Sequence, residues 1–140
     1  MALKAVLWIG GIAIVVLALV FGVMRLFSDL SERSDRAAMF ADTVAAATTG
    51  TWDPASLEPF ADETFYKSLT ADPARWQTYA LLGPAINDPK CRVTNIEVVN
   101  GRANALASCP GKFEKGSGTL QISLSDYSGE WRVTAFKLEL

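Results

Sequence analysis

Asp62 and Tyr66 are the two side chains best spaced for acid–base chemistry: they lie four positions apart in a stretch that reads as helical, so they share one face. Low polarity raises a carboxylate's pKa towards neutrality, and such a pair, helped by Tyr79 or Asp126, would then have the means to move a proton. The same residues have a plainer reading. Asp62 stands where a helix N-cap or first-turn acid belongs, and Tyr66 fits an amphipathic core position with its hydroxyl at the rim. Histidine is absent from the sequence, which removes the commonest general base and the commonest metal ligand. The plainer reading prevails: no catalytic, cofactor-binding or metal-binding residue is assigned, and no enzyme activity is expected.

Cys91 and Cys109 are the only thiols. They flank what reads as a hairpin, and such a pair persists as a disulfide in an oxidising compartment. Free buried thiols are the second reading and a redox or metal site the third; two thiols without histidine or further cysteine do not make a structural zinc site. Register matters here. A two-residue turn at Asn100-Gly101 pairs Val99 with Arg102 and sets Cys91 opposite Pro110, with Cys109 on the other face. A three-residue loop, or Cys91 lying just before the strand, brings the sulfurs within reach. Closing this loop stabilises a domain by roughly 3 kcal/mol in the loop-entropy picture.

Positioning these groups requires an anchor and a domain. Residues 5–24 form an uncharged apolar run; at about 1.5 Å per residue it matches the hydrocarbon thickness of a bilayer. A cleaved signal peptide is the alternative, but its apolar region is shorter and ends in small residues, whereas here the run continues to Arg25. The expected division is a transmembrane anchor over 1–25 and a soluble α+β domain over 26–140. Gly11, Val15, Ala18 and Gly22 share one face of the anchor, where small residues allow another membrane helix to approach. Trp8 is expected near the interface.

The part beyond the anchor keeps all 15 acidic residues and loses Lys4 and Arg25 from the basic ones, so it is acidic. It has no basic stripe, which excludes nucleic acid as an expected partner. Two signals disagree on orientation. Arg25, Arg33 and Arg36 outnumber Lys4 and the α-amino group, favouring a cytoplasmic domain; the cysteine pair favours an outward-facing, periplasmic one.

No proline or glycine interrupts the sequence from 26 to 49. Phe27, Leu30, Ala37, Phe40, Val44 and Ala47 recur at helical spacing, so the anchor and the first domain helix are expected to be nearly continuous. Asp53-Pro54 and Asp72-Pro73 mark two further helix starts, with 62–69 between them and Gly83-Pro84 as a stop. From Cys91 the period becomes two: Thr94, Ile96 and Val98, then the Asn100-Gly101 turn, then Ala103, Ala105 and Ala107 on the same face. Leu120, Ile122 and Leu124 mark a third strand. The fourth changes phase, from Trp131 and Val133 to Phe136 and Leu138, which predicts a β-bulge near Ala135 and a strongly bent sheet. The fold class is thus an N-terminal transmembrane helix, then about three helices packed on a curved antiparallel sheet of about four strands. Trp76 and Trp131 are expected to be buried. Trp52, beside a turn, is expected to be partly exposed and is the candidate interface residue.

Helices followed by a curved sheet, closing in Gly129-Glu130-Trp131-Arg132-Val133-Thr134-Ala135-Phe136-Lys137-Leu138, resemble the cone-shaped nuclear transport factor 2-like superfamily. The likeness covers residues 35–140. Related folds serve isomerases, dehydratases, transport factors and membrane-assembly subunits, so it implies an architecture and leaves function open. Some bacterial members carry one N-terminal membrane helix, as in the assembly-core subunits of type IV secretion systems and the accessory proteins of lipid-import systems. The anchor, its small-residue face and the missing catalytic groups make the first expectation a non-enzymatic accessory or assembly subunit of a bacterial inner-membrane complex, with other membrane proteins as partners, no cofactor, and homo-oligomerisation through the Gly11, Ala18 and Gly22 face as a third reading. The second is a membrane-tethered domain that binds a small apolar ligand, with weak acid–base catalysis. An open apolar cavity containing Tyr66 or Asp62 favours the second; filling by Phe60, Phe65 and Trp76 favours the first.

Overall fold

The computed structural model describes residues 2–140, including all side chains except those of residues 2–8 and Phe27. The interfacial role expected for Trp8 lies outside these described side chains. The element order is helix α1 (Ala2–Thr49), a 3-10 turn (Pro54–Leu57), helices α2 (Glu63–Thr70) and α3 (Pro73–Ala80), and strands β1 (Arg92–Val99), β2 (Arg102–Phe113), β3 (Gly116–Tyr127) and β4 (Glu130–Glu139). The class is α+β, as the change of period from helical to alternating requires.

The protein falls into two compact units, Met1–Arg33 and Ser34–Leu140, and α1 belongs to both. In the first unit the apolar side chains from Ile9 to Leu26 are exposed. This stretch is long and apolar enough to cross a membrane. Gly11, Val15, Ala18 and Gly22 are exposed on it, and nothing lies within 4 Å of a Cβ built at Gly11 or Gly22.

In the second unit α1 buries Ala37, Ala41, Val44, Ala45, Thr48 and Thr49, an i, i+4, i+7, i+8 stripe that joins the main core. The two threonine hydroxyls donate to Val44 O and Ala45 O, satisfying themselves within the helix. The stripe lies slightly off the one expected: Ala47 is exposed and Phe40 half-buried, because a count begun at Phe27 drifts over several turns. The Asp53 carboxylate accepts the Ala55 N–H at 3.0 Å and caps the 3-10 turn, with Pro54 at its first position.

The four strands pair antiparallel in sequence order. Asn100-Gly101 makes the two-residue turn expected, with φ of 53° and 77°, and the ladder closes at Val99 opposite Arg102. The obstacle to a disulfide is then removed by a feature absent from the expectations. Register shifts by one residue between Val93 and Asn95, so Thr94 is an extra residue in β1. Beyond it Val93 faces Ala107 and Arg92 faces Ser108, which sets Cys91, just before the strand, opposite Cys109. The two are bonded, with their Cα atoms 4.1 Å apart. Thr94 therefore leaves the Ile96 and Val98 face on which simple alternation put it.

A second bulge lies in β4. Ser123 faces Ala135 whereas Leu124 faces Val133, leaving Thr134 as the extra residue, one position from where the phase change predicted it. The two bulges are aligned across the sheet. Thr94 Oγ1 donates to Leu106 O at 3.2 Å and Thr134 Oγ1 donates to Ser123 O at 3.3 Å, and Leu106 and Ser123 are themselves directly paired. The bend is thus a crease running across all four strands. Each bulge keeps apolar residues inward on both sides of it, since Val93 to Ile96 and Val133 to Phe136 are spaced by three where alternation needs an even number.

Candidate functional site

Two elements bring Asp62 and Tyr66 to one place. The segment before α2 adds itself to the edge of β4, Asp62 N–H donating to Val133 O at 2.9 Å and Val133 N–H to Phe60 O at 2.8 Å. This fixes the start of α2, where Asp62 is the N-cap residue by backbone geometry although its carboxylate makes no capping bond. Tyr66 follows one turn later. Both line an open depression of about 510 Å³ together with Glu58, Glu63, Tyr127, Glu130 and Arg132. Arg132 is held in place by Pro59 O at 2.9 Å and by Glu130 Oε2 at 3.2 Å. Tyr127 forms the other wall, and the Arg102 guanidinium lies 4.3 Å above its ring.

The remaining acid–base candidates go elsewhere. Tyr79 is built into the core, its ring against Trp52 and Trp76, and its hydroxyl oxygen accepts the Leu138 N–H at 3.4 Å. The Asp126 carboxylate accepts the Gly129 N–H at 2.7 Å and braces the β3–β4 turn. The depression is thus lined mainly by charged groups and two tyrosines and is open to solvent. No group of histidine, cysteine or acidic residues suited to a metal occurs among the described residues.

The interior is packed with aromatic residues. Trp76 is buried and stacked on Phe136, with ring centroids 5.4 Å apart. Phe60 and Phe65 are half-buried against the same core. The expectation for Trp52 is corrected: it is only 4% exposed, its indole N–H donates to Gly83 O at 2.7 Å, and its ring packs on Tyr79 and Phe113. The turn that suggested exposure instead sends the side chain inward, because Trp52 adopts a left-handed φ of 53°. Trp131 is also corrected, being half-buried; it is the second residue of β4, opposite Asp126 and beside the turn, where the ladder begins.

Sequence reasoning passed over Tyr127, Arg132 and Asp42. Tyr127 pairs with Glu130 beside the Ser128-Gly129 turn and Arg132 lies two residues further along β4, opposite Ser125, so pairing the strands through that turn would have placed the two near one another. Asp42 gave no signal. Its Oδ1 accepts the Cys91 N–H at 2.6 Å, tying α1 to the residue that starts the disulfide.

No protein-family model matches the sequence, and no curated protein matches it. Among solved structures it is similar to a designed NTF2 protein, with 13% identity, a TM-score of 0.42, and coverage of 74% of this protein and 97% of that one.

Proposed function

We propose that this protein is a non-enzymatic accessory or assembly subunit of a bacterial membrane complex, held in the inner membrane by the apolar part of α1, with residues 34–140 in the periplasm. The observation that carries this reading is the placement of the acid–base candidates. Asp62 and Tyr66 open onto solvent at a rim, while the interior is filled by Trp76, Phe136, Trp52 and Phe113. A rim presenting Tyr66, Tyr127 and Arg132 has the residue types that dominate binding energy at protein interfaces. The Cys91–Cys109 disulfide supports an oxidising compartment, and the exposed small residues of the anchor suit a second membrane helix.

The test is purification of the tagged full-length protein in mild detergent, with mass spectrometry of what accompanies it. Recovery of stoichiometric membrane proteins, lost when Tyr66→Ala and Tyr127→Ala are combined, is the expected result. Recovery of the protein alone at both low and high salt would count against the subunit reading and favour a tethered ligand-binding domain. Thiol alkylation in intact cells tests the compartment: labelling only after reduction is expected, and labelling without it would refute the periplasmic assignment.

A further inference from the structure

The Asn100-Gly101 turn does more than join two strands. Both residues are exposed and lie outside the ladder, which closes at Val99 and Arg102. Nothing comes within 4 Å of a Cβ built at Gly101, and glycine has no side chain of its own to shield its nitrogen. We propose that Asn100 is a site of spontaneous backbone modification by its own neighbour. The Gly101 nitrogen, losing its proton to solvent base, attacks the Cγ amide carbon of Asn100. A new N–C bond closes a five-membered succinimide, and the Cγ–Nδ2 bond breaks, its electron pair leaving with the nitrogen as ammonia after protonation by water. Water then opens the ring at one carbonyl or the other, giving aspartate or isoaspartate.

The other asparagines are less suited to this step. Asn87, Asn95 and Asn104 are followed by Asp88, Ile96 and Ala105, whose side chains crowd the attacking nitrogen. Asn95 and Asn104 are also held in the sheet, and Asn104 Oδ1 accepts a hydrogen bond from Ser125 Oγ at 2.6 Å.

The location gives the change a consequence. The new carboxylate sits in a hollow of about 300 Å³ that it shares with Arg102 and Asp126. Isoaspartate also adds one carbon to the backbone, which breaks the match between the turn and the Val99–Arg102 closing pair. β1 is an edge strand fastened at this end by the turn and at the other by Cys91–Cys109. In the modified protein the ladder with β2 loses its closing turn at one end and keeps the Cys91–Cys109 disulfide at the other.

The experiment incubates the oxidised full-length protein in detergent in mildly alkaline buffer, digests it with trypsin and sequences the 93–102 peptide, which holds Asn95 and Asn100 together. The expected result is the mass gain of NH exchanged for O at residue 100, several-fold faster than at Asn87, Asn95 or Asn104, with isoaspartate detected by enzymatic methylation of its carboxylate. Absence of the gain at residue 100, or equal gain at all four asparagines, would overturn the proposal. In a second measurement the incubated protein is reduced and amide exchange in β1 is followed. Faster exchange than in Asn100→Gly, which retains a turn-forming pair but carries no side-chain amide, is expected; equal exchange would refute the structural consequence.

Discussion

Trp52 and Trp76 provide a controlled comparison. Both are buried, at 4% and 3% exposure, and both pack on aromatic neighbours. They differ in one hydrogen bond: Trp52 donates its indole N–H to Gly83 O at 2.7 Å, whereas the Trp76 indole N–H has no protein partner. Replacing either by phenylalanine removes similar apolar bulk and leaves a small void, a cost of roughly 1 kcal/mol. Trp52→Phe also deletes the bond and leaves the Gly83 carbonyl short of a donor, adding about 2 kcal/mol. Trp76→Phe removes an unsatisfied buried donor instead, which offsets about 1 kcal/mol of its packing loss. The expected costs are therefore about 3 kcal/mol for Trp52→Phe and about 0–1 kcal/mol for Trp76→Phe. Thermal unfolding of the full-length protein in detergent, followed by near-ultraviolet circular dichroism, reads this as a gap of roughly 10 °C between the variants. Equal destabilisation by the two substitutions would refute the assignment of the Trp52–Gly83 bond. A Trp52→Phe effect within about 0.5 kcal/mol would restore the exposed interface residue that its place beside a turn suggested.

Reduction of Cys91–Cys109, or the paired Cys91→Ala and Cys109→Ala replacement, is expected to cost roughly 3 kcal/mol, read as the difference in urea midpoint with and without reductant. Asp42→Ala should cost about 1–2 kcal/mol, because the Cys91 N–H loses a charged acceptor; urea unfolding of the oxidised protein measures this, and an unchanged midpoint would show that the contact contributes nothing. Deleting Thr94 removes the extra residue of β1 and returns Cys91 to a position opposite Pro110, so alkylation before reduction should label thiols that are protected in the parent protein. Persistent protection would mean that the register recovers by another route.

The sequence made the elements legible because their signals are local. Asp-Pro pairs start helices, Asn-Gly and Ser-Gly turn strands, and a period of two is visible over a few residues. The β4 bulge was legible for the same reason: Val133 and Phe136 are both large and apolar, so their spacing by three interrupts a strong alternation. Val93 and Ile96 have the same spacing, but Thr94 lies between Ile96 and the start of the strand and can be read as part of the apolar face. That reading hid the first bulge and made the disulfide look out of register. The cysteines themselves were the missing signal, since a bonded pair an even eighteen positions apart, facing each other across a two-residue turn, requires one extra residue on one strand.

The candidate site was legible only in part, and the reason is physical. Asp62 and Tyr66 are helical neighbours, so their spacing alone puts them together; Tyr127 and Arg132 join them because the segment at Phe60 and Asp62 pairs with Val133, a contact between residues far apart in sequence that leaves no local pattern. Trp52 misleads in the opposite sense, for a turn beside a helix end is ordinarily wet. Here the left-handed backbone at Trp52 costs about 1–2 kcal/mol, and the buried ring with its bond to Gly83 O must outweigh that cost for the observed conformation to persist. Substituting glycine at position 52 would relieve the backbone strain yet forfeit the ring, the larger contribution, since removing a buried tryptophan side chain costs about 3–5 kcal/mol. The direction of that balance is why a conformation that strongly favours glycine is occupied by tryptophan.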